Sequence, residues 1–318
     1  MNLTPLRLGT RRSALATTQS GHVADLIRSR LGREVELVEI TTEGDVSAAP
    51  LATLGGTGVF VSALREALLR GEVDVAVHSL KDLPTAPAEG VALVAVPPRE
   101  DPRDVVIARD GLTLGELPVG SRVGTGSPRR AAQLEALGLG LDISGIRGNV
   151  DTRIRKVTSG EYDAVVLARA GLLRLGRADE ATEVLDPLQM LPAPGQGALA
   201  IECRSTDTEL VADLARLDDH TTRAAVTAER EVLSTLEAGC SAPLGALAEV
   251  VEGEDGDELW IRAVALSPDG GLSVRMSATG AVADAAGTGH RLASEMLADG
   301  AASLMGNTGM EAAVRKQS

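Results

Sequence analysis

Apolar and polar positions along the chain follow two rhythms, and prolines and glycines mark where one gives way to the other. LRLGT (6–10) reads as a short strand. From Ser13 to about Arg30 the apolar residues Leu15, Val23, Leu26 and Ile27 keep helical spacing. VELVEI (35–40) alternates like a strand, and Val59 to Arg70 predicts a helix stopped by Gly71. DVAVHS (74–79) and VALVAV (91–96) read as buried strands. Strands alternating with helices predict a mostly parallel sheet covered by helices.

PPREDPRD (97–104) interrupts this series with proline and charge, and a second series follows. DVVIA (104–108), RVGTG (122–126), the start of DISGIRG (142–148) and DAVVLA (163–168) predict strands. Helices are expected from Ser127–Pro128 and over Asn149 to Ser159. A second break, LPAPGQGALAIEC (191–203), leads into another strand. Beyond it the character changes. TTRAAVTAEREVLSTLEAG (221–239) predicts one long helix, then come strands at 245–253, 258–266 and 272–280, and a closing helix over 290–306. Residues from about Asn307 to Ser318 are expected to fray.

The two breaks bracket an α/β segment, so two similar α/β domains joined by two crossovers are expected, with a small α+β domain behind them. The expected boundaries are 1–97 with 198–217, then 98–197, then 218–318. An internal echo supports the pairing: RLGTRRSALA (7–16) and RVGTGSPRRAAQL (122–134) share strand, Gly-Thr, Ser, then helix. Two related domains facing one cleft would explain it.

Composition narrows the function. Of 318 residues, 44% are hydrophobic, but Phe60, Tyr162 and Trp260 are the only representatives of Phe, Tyr and Trp, so the cores must be built from aliphatic side chains. A net charge of −14 makes a general nucleic-acid binder a poor reading, and there is almost nothing for bases to stack on. Two cysteines, Cys203 and Cys240, with no CxxC, suit a reducing compartment better than a disulfide framework. The opening MNLTPLRLGTRRSALA lacks the apolar core of a signal peptide, and no run of about 20 apolar residues occurs. A cytoplasmic chain without a membrane span is expected. His22, His78, His220 and His290 show no ligand spacing, so no metal is expected.

On this acidic background arginines cluster at βα turns. Ser13 and Ser127 are N-cap candidates and Pro128 suits the first helical position. Arg11 and Arg12 precede one helix, and Arg129 and Arg130 fall in the first turn of the other. Cations there oppose the helix dipole, whereas a carboxylate or phosphate ligand would use both the free N–H groups and the guanidinium forks. GIRGNVDTRIRK (145–156) adds a third such turn, with Asn149 or Asp151 as cap and Arg147 and Arg153 in reach. Neither GxxxxGK[ST] nor GxGxxG occurs. VHSLKDLP (77–84) follows a strand and offers Lys81 for a carboxylate and Asp82 for acid–base work. In LEAGCSAPLG (236–245), Cys240 sits among small residues on a loop, where a thiol is accessible, while Cys203 reads as core. LGGTGVF (54–60) reads as a mobile loop or lid.

GTRRSALA, HSLKDLP, GTGSPRR, IRGNVDTR, PAPGQGALAIECR and AGCSAPLG, in this order and spacing, resemble the porphobilinogen deaminase (hydroxymethylbilane synthase) family from Leu6 to about Gly245. The resemblance implies an α/β fold of two similar periplasmic-binding-protein-like domains about a central cleft, plus a small C-terminal α+β domain. It implies a transferase that joins four porphobilinogen to hydroxymethylbilane with loss of four ammonia, on a dipyrromethane cofactor held through a thioether to Cys240. Asp82 matches the catalytic aspartate. Lys81, Asp82, Thr125, Ser127, Arg129 and Arg130 match cofactor contacts, and Arg11, Ser13, Gln19, Arg147, Arg153 and Arg174 match substrate contacts. A growing oligopyrrole carries an acetate and a propionate on every ring, which accounts for so many guanidinium groups.

The partners implied are porphobilinogen and the growing oligopyrrole, with no nucleic acid and no membrane. A monomer is implied, with room left for product hand-off to uroporphyrinogen-III synthase. The chain departs from the family pattern at Glu43, Thr57, Gly126 and Ala238. Two other readings compete: a non-catalytic binding module for a small polycarboxylate ligand, against which the lack of a secretory signal counts, and a transferase for a phosphate ligand, which the missing P-loop disfavours.

Overall fold

The computed structural model describes residues 4–40, 58–237, 242–253 and 256–305. The chain forms two compact units: Met1–Glu100 with Gly197–Arg223, and Asp101–Gln196 with Ala224–Ser318.

The first unit is built on a five-stranded sheet. Its strands are β1 (Leu6–Thr10), β2 (Val35–Glu39), β3 (Val75–Ser79), β4 (Val91–Ala95) and β10 (Leu199–Arg204), in the order β2-β1-β3-β10-β4. β1 pairs in parallel with β2 and β3, while β10 runs antiparallel to both of its neighbours. The expectation of a mostly parallel sheet therefore holds for four strands and fails for the returning one. Helix α1 (Ala14–Leu31) covers one face through Val23, Ala24 and Ile27, joined by Leu210 and Leu214 of α6 (Thr208–Leu214). Helix α2 (Gly58–Leu69) covers the other through Leu64, Ala67 and Leu68. Burial on both faces explains why β3 reads as a continuous apolar run rather than an alternation.

The second unit repeats the plan. β5 (Asp104–Ala108), β6 (Arg122–Gly124), β7 (Asp142–Ser144), β8 (Ala164–Ala168) and β9 (Glu183–Val184) lie in the order β7-β6-β8-β5-β9. β6 is parallel to β7 and β8, and β5 is antiparallel to β8 and β9. Strand for strand this is the arrangement of the first sheet, with the fourth place again taken by the one reversed strand. The echo at 7–16 and 122–134 thus falls on equivalent places, β1 with α1 and β6 with α3 (Pro128–Ala136). Alternate residues of β5 serve opposite faces. Val106 and Ala108 pack with Leu134 of α3, and Val105 and Ile107 pack with Ile154 and Val157 of α4 (Val150–Thr158) and Leu172 of α5 (Arg169–Arg174).

Residues 224–305 lie in the same unit but have a core of their own. β11 (Leu244–Gly253), β12 (Gly256–Leu266) and β13 (Ser273–Ala281) form an antiparallel meander. One face, with Leu259, Ile261, Ala263 and Ala265, packs on α7 (His220–Thr235) and α8 (Ala285–Ala298). The other meets α3: Val264, Leu266 and Leu247 cluster with Ala132 and Leu191. The backbones come close here, and a Cβ on Gly245 would lie 2.8 Å from Leu191 Cβ.

Two helical expectations need correction. The helix expected over 221–239 ends at Thr235. The single closing helix expected over 290–306 starts at Ala285 and is broken after Ala298, where Gly300 at φ 90° separates it from α9 (Ala301–Met305).

Candidate active site

Because β1 and β3 are parallel neighbours, the segments that leave them emerge at one carboxyl edge, the side on which open α/β sheets take ligands. Ser13 caps α1, its Oγ accepting from the Ala16 N–H at 3.3 Å. Thr17 Oγ1 lies 3.3 Å from Arg11 O and 3.2 Å from Ser13 O, which holds the turn against the helix. Gln19 is buried on α1, and Ser79 Oγ donates to its Oε1 at 3.2 Å, linking the turn after β1 to the turn after β3. There the chain makes one 3-10 turn, Leu80–Asp82, anchored by the Leu80 N–H on Ala198 O. Arg11, Lys81 and Asp82 are half-buried. Arg12 is exposed, 3.4 Å from an exposed Glu39, a pair that contributes little.

The matching edge of the second sheet is built differently. Ser127 caps α3 and accepts from the Arg130 N–H at 3.4 Å, and its own N–H donates to Thr125 Oγ1 at 3.2 Å. Thr125 is buried and its N–H donates to Ser144 O. A Cβ on Gly126 would lie 2.9 Å from the Ile146 carbonyl oxygen, so the two backbones approach closely here. Arg129 and Arg130 are 4% and 6% exposed, and both reach Asp104, which is fully buried. Arg129 Nη2 donates to Asp104 Oδ2 at 2.8 Å, and Arg130 Nη2 to Asp104 Oδ1 at 2.7 Å. Arg130 Nε also donates to Asp104 Oδ1 at 3.2 Å, and each guanidinium makes one bond to a carbonyl, Arg129 to Leu191 O and Arg130 to Val166 O.

Sequence reasoning found the two arginines but not their carboxylate. Read against the helix dipole, the cations called for an external anion, whereas Asp104 already supplies an internal one. Burial alone would raise the Asp104 carboxyl, but the two guanidinium groups outweigh it and hold it well below the usual carboxylate range. Burial likewise pushes Arg129 below its ordinary value, against the opposing pull of Asp104. Arg129 Nε is buried with no acceptor among the described residues.

In the third turn Asn149 is the cap, accepting from the Thr152 N–H at 2.9 Å, which settles the choice left between it and Asp151. Arg147 is exposed on the connection before it. Arg153 is half-buried and donates Nε to Gly148 O at 2.8 Å. Burial, and then the charge of Arg130, lower its pKa, and among the described residues no carboxylate pairs with it. Arg174 ends α5, half-buried.

Cys240 lies outside the described residues, in the connection between α7 and β11, as do Glu43, Thr57 and Ala238. The glycine-rich segment expected as a lid also lies there up to Thr57, while its last residues, 58–60, open α2. Cys203 is buried, and burial, then Asp207, push its thiol up to about 11, a core cysteine rather than a nucleophile. A second buried ionic cluster went unread in the sequence. Glu202 on β10 accepts two bonds from Arg65, at 2.7 and 3.0 Å, and lies 3.2 Å from Nε2 of buried His78. Burial would raise the Glu202 carboxyl, yet His78 and Arg65 bring it down to about 2. Among the described residues no group of three or more His, Cys, Asp or Glu could hold a metal ion, and no helix is long and apolar enough to cross a membrane.

Residues 6–212 match the family model "porphobilinogen deaminase, dipyromethane cofactor binding domain", and residues 223–298 match "porphobilinogen deaminase, C-terminal domain". The chain is 60% identical over 310 residues to porphobilinogen deaminase 1 of Streptomyces coelicolor, covering 95% of this chain and 97% of that protein. It is 60% identical over 305 residues to porphobilinogen deaminase of Mycobacterium tuberculosis, covering 94% and 98%. Among solved structures it is similar to an ancestral arginine-binding protein bound to arginine, at 17% identity and a TM-score of 0.38 over 68% of this chain and 92% of that one. A lipoprotein of Bacillus subtilis gives 13% and 0.42 over 67% and 89%. At such scores the architecture stands on its own sheets and not on these likenesses.

Proposed function

We infer how the site works from one premise: the chain belongs to the porphobilinogen deaminase family. It is a transferase of porphyrin and haem biosynthesis that joins four porphobilinogen into hydroxymethylbilane, with release of four ammonia, on a dipyrromethane primer. The non-catalytic binding module is not favoured, since relatives of this closeness and coverage are deaminases.

The assignment of residues is our reading, and one observation carries it. Two buried or half-buried guanidinium groups, Arg129 and Arg153, keep N–H donors or charge that the described residues leave uncompensated. An orphaned buried N–H costs about 1–3 kcal/mol, which a ligand carboxylate would offset. Such residues fit a primer bearing acetate and propionate groups. When bound, the primer would supply the free pyrrole α-carbon to which the first unit is joined, each later unit joining the ring added before it.

Arg129, Arg130, Thr125, Ser127 and Lys81 would hold the primer's carboxylates. Arg11, Ser13, Gln19, Arg147, Arg153 and Arg174 hold those of the incoming substrate. Guanidinium forks bind carboxylates bidentately, so they fix orientation as well as charge. Asp82 would stabilise the positive charge that develops on the substrate as ammonia leaves, and would carry the proton released on coupling. The Cys240 sulfur carries the thioether. We further read the enzyme as a cytoplasmic monomer that takes up free porphobilinogen, with hand-off to uroporphyrinogen-III synthase as a later step.

Intact-protein mass spectrometry tests the tether. The wild-type enzyme denatured in acid should carry a two-pyrrole adduct, and Cys240→Ser should carry none. An adduct retained on that variant moves the linkage to another residue.

A further inference from the structure

Asp104 does more than neutralise two arginines. It accepts from three side chains that belong to distant parts of the sequence. Oδ2 takes Arg129 Nη2, while Oδ1 takes Arg130 Nη2 at 2.7 Å, Arg130 Nε at 3.2 Å and Gln196 Nε2 at 2.8 Å. Gln196 is 1% exposed and lies between two glycines of positive φ, Gly195 at 74° and Gly197 at 87°. The same amide nitrogen donates to Pro102 O at 2.6 Å. Gln196 is the last residue of the 101–196 segment and Pro102 is near its first, so one amide pins the two ends of that segment and the arginine pair to one carboxylate.

A guanidinium has five N–H donors in a fixed fork. The contacts to Asp104 and to the two carbonyls use two donors of Arg129 and three of Arg130. What remains of each fork therefore has its direction set from within. Two guanidinium groups and one carboxylate leave a net positive charge, and Arg153 beside Arg130 adds another.

We propose that Asp104 is a positioning residue, oriented by Gln196, which aims the uncommitted N–H groups of Arg129 and Arg130 at ligand carboxylates. The proposal rests on the reading that these arginines bind the primer and the growing chain. It adds a counter-ion, in the strand that opens the second sheet, whose task is geometric: without it the arginines keep their charge but lose their aim. Gln196 makes that aim depend on the conformation of the glycine-flanked segment on which it sits.

The test uses the full-length enzyme with porphobilinogen as substrate and three variants: Asp104→Asn, Gln196→Glu and Arg129→Leu. Asp104→Asn keeps size and one acceptor but replaces the other with an amide that cannot accept from a guanidinium. It should carry less two-pyrrole adduct, and its adduct-bearing fraction should show KM raised about tenfold with a smaller change in kcat, the effect of losing one charge-assisted hydrogen bond. Gln196→Glu sets a second carboxylate against Asp104 at neutral pH. On acidification the new side chain takes up a proton and again donates, so its KM should fall back towards that of the wild type run in parallel.

Wild-type adduct loading and KM in Asp104→Asn overturn the proposal. If that variant does not fold, a Gln196→Glu deficit that is absent, or that stays constant with pH, overturns it. Arg129→Leu separates the two levels. If it behaves as wild type, the binding reading itself fails. If it is impaired while the other two are not, only the positioning role fails.

Discussion

The turns after β1 and after β6 occupy the same station in two sheets of identical strand order, yet they present charge in opposite ways. In the first sheet the cations precede the capped helix, Arg11 half-buried and Arg12 exposed, and the neighbouring turn brings a half-buried carboxylate, Asp82. In the second the cations lie inside the first helical turn, buried and bound to an internal carboxylate. The same backbone device therefore serves two purposes. One edge keeps its carboxylate half-exposed, as the acid–base role proposed for Asp82 requires. The other spends its carboxylate inside the protein to fix the direction of two guanidinium groups. Repetition of a fold does not carry repetition of a role, because the role depends on which partner each charged side chain already has.

Four substitutions probe that contrast. The largest effect belongs to the first edge. Asp82→Ala should fold normally and lose turnover by about 10²–10⁴-fold, the range for a positioned acid–base group, as steady-state assay and circular dichroism together would read. Turnover near that of the wild type removes Asp82 from the chemistry. At the second edge, Asp104→Ala strands two buried guanidinium groups and should cost about 3–5 kcal/mol of stability in a denaturant titration. A cost well below this means that water reaches the pair.

Glu202→Gln addresses the buried cluster behind the Asp82 turn. A folded pKa held at about 2 against the ordinary 4.5 lends stability that is fully present above 4.5 and is lost as pH falls through about 2. The variant should therefore melt below the wild type at neutral pH, by up to about 3 kcal/mol, and the gap should close on acidification. A gap that is constant with pH assigns the loss to packing. The smallest change in stability is expected for Arg153→Leu. A half-buried cation with no carboxylate partner among the described residues contributes little to the fold, so melting should stay within about 1 kcal/mol of the wild type while KM rises. A large drop in melting with unchanged KM would make Arg153 a structural arginine.

Local signals carried much of the sequence reading. Capping serines, the proline at the first helical position and glycine stops have a physical meaning within a few residues, and Ser13, Ser127 and Pro128 stand where those rules place them. The central strands β3, β5 and β8 are visible because burial on both faces makes them continuous apolar runs, whereas the two-residue β9, half-buried at a sheet edge, leaves no such run. What could not be read is pairing across distance. Asp104 opens the apolar run DVVIA, 25 residues before Arg129, and nothing local says that a carboxylate there is the counter-ion of a helix start. Glu202 and Arg65 are 137 residues apart. The reversed direction of β5 and β10 also leaves no mark, since a doubly buried strand has the same composition either way. The break at Gly300 was legible as a glycine but was outweighed by the helical spacing on both sides.

The reversed strand in the first sheet has a consequence for how the molecule is made. Among the described residues the only strand paired with β4 is β10, and β10 is separated from it by the whole of the second sheet in sequence. Strands β5 to β9 leave the ribosome before β10 does, so the later sheet can close while the earlier one still has a gap beside β3. The first sheet is thus completed after the second, and until then the exposed edges of β3 and β4 are what a chaperone, or another unfinished copy, would meet.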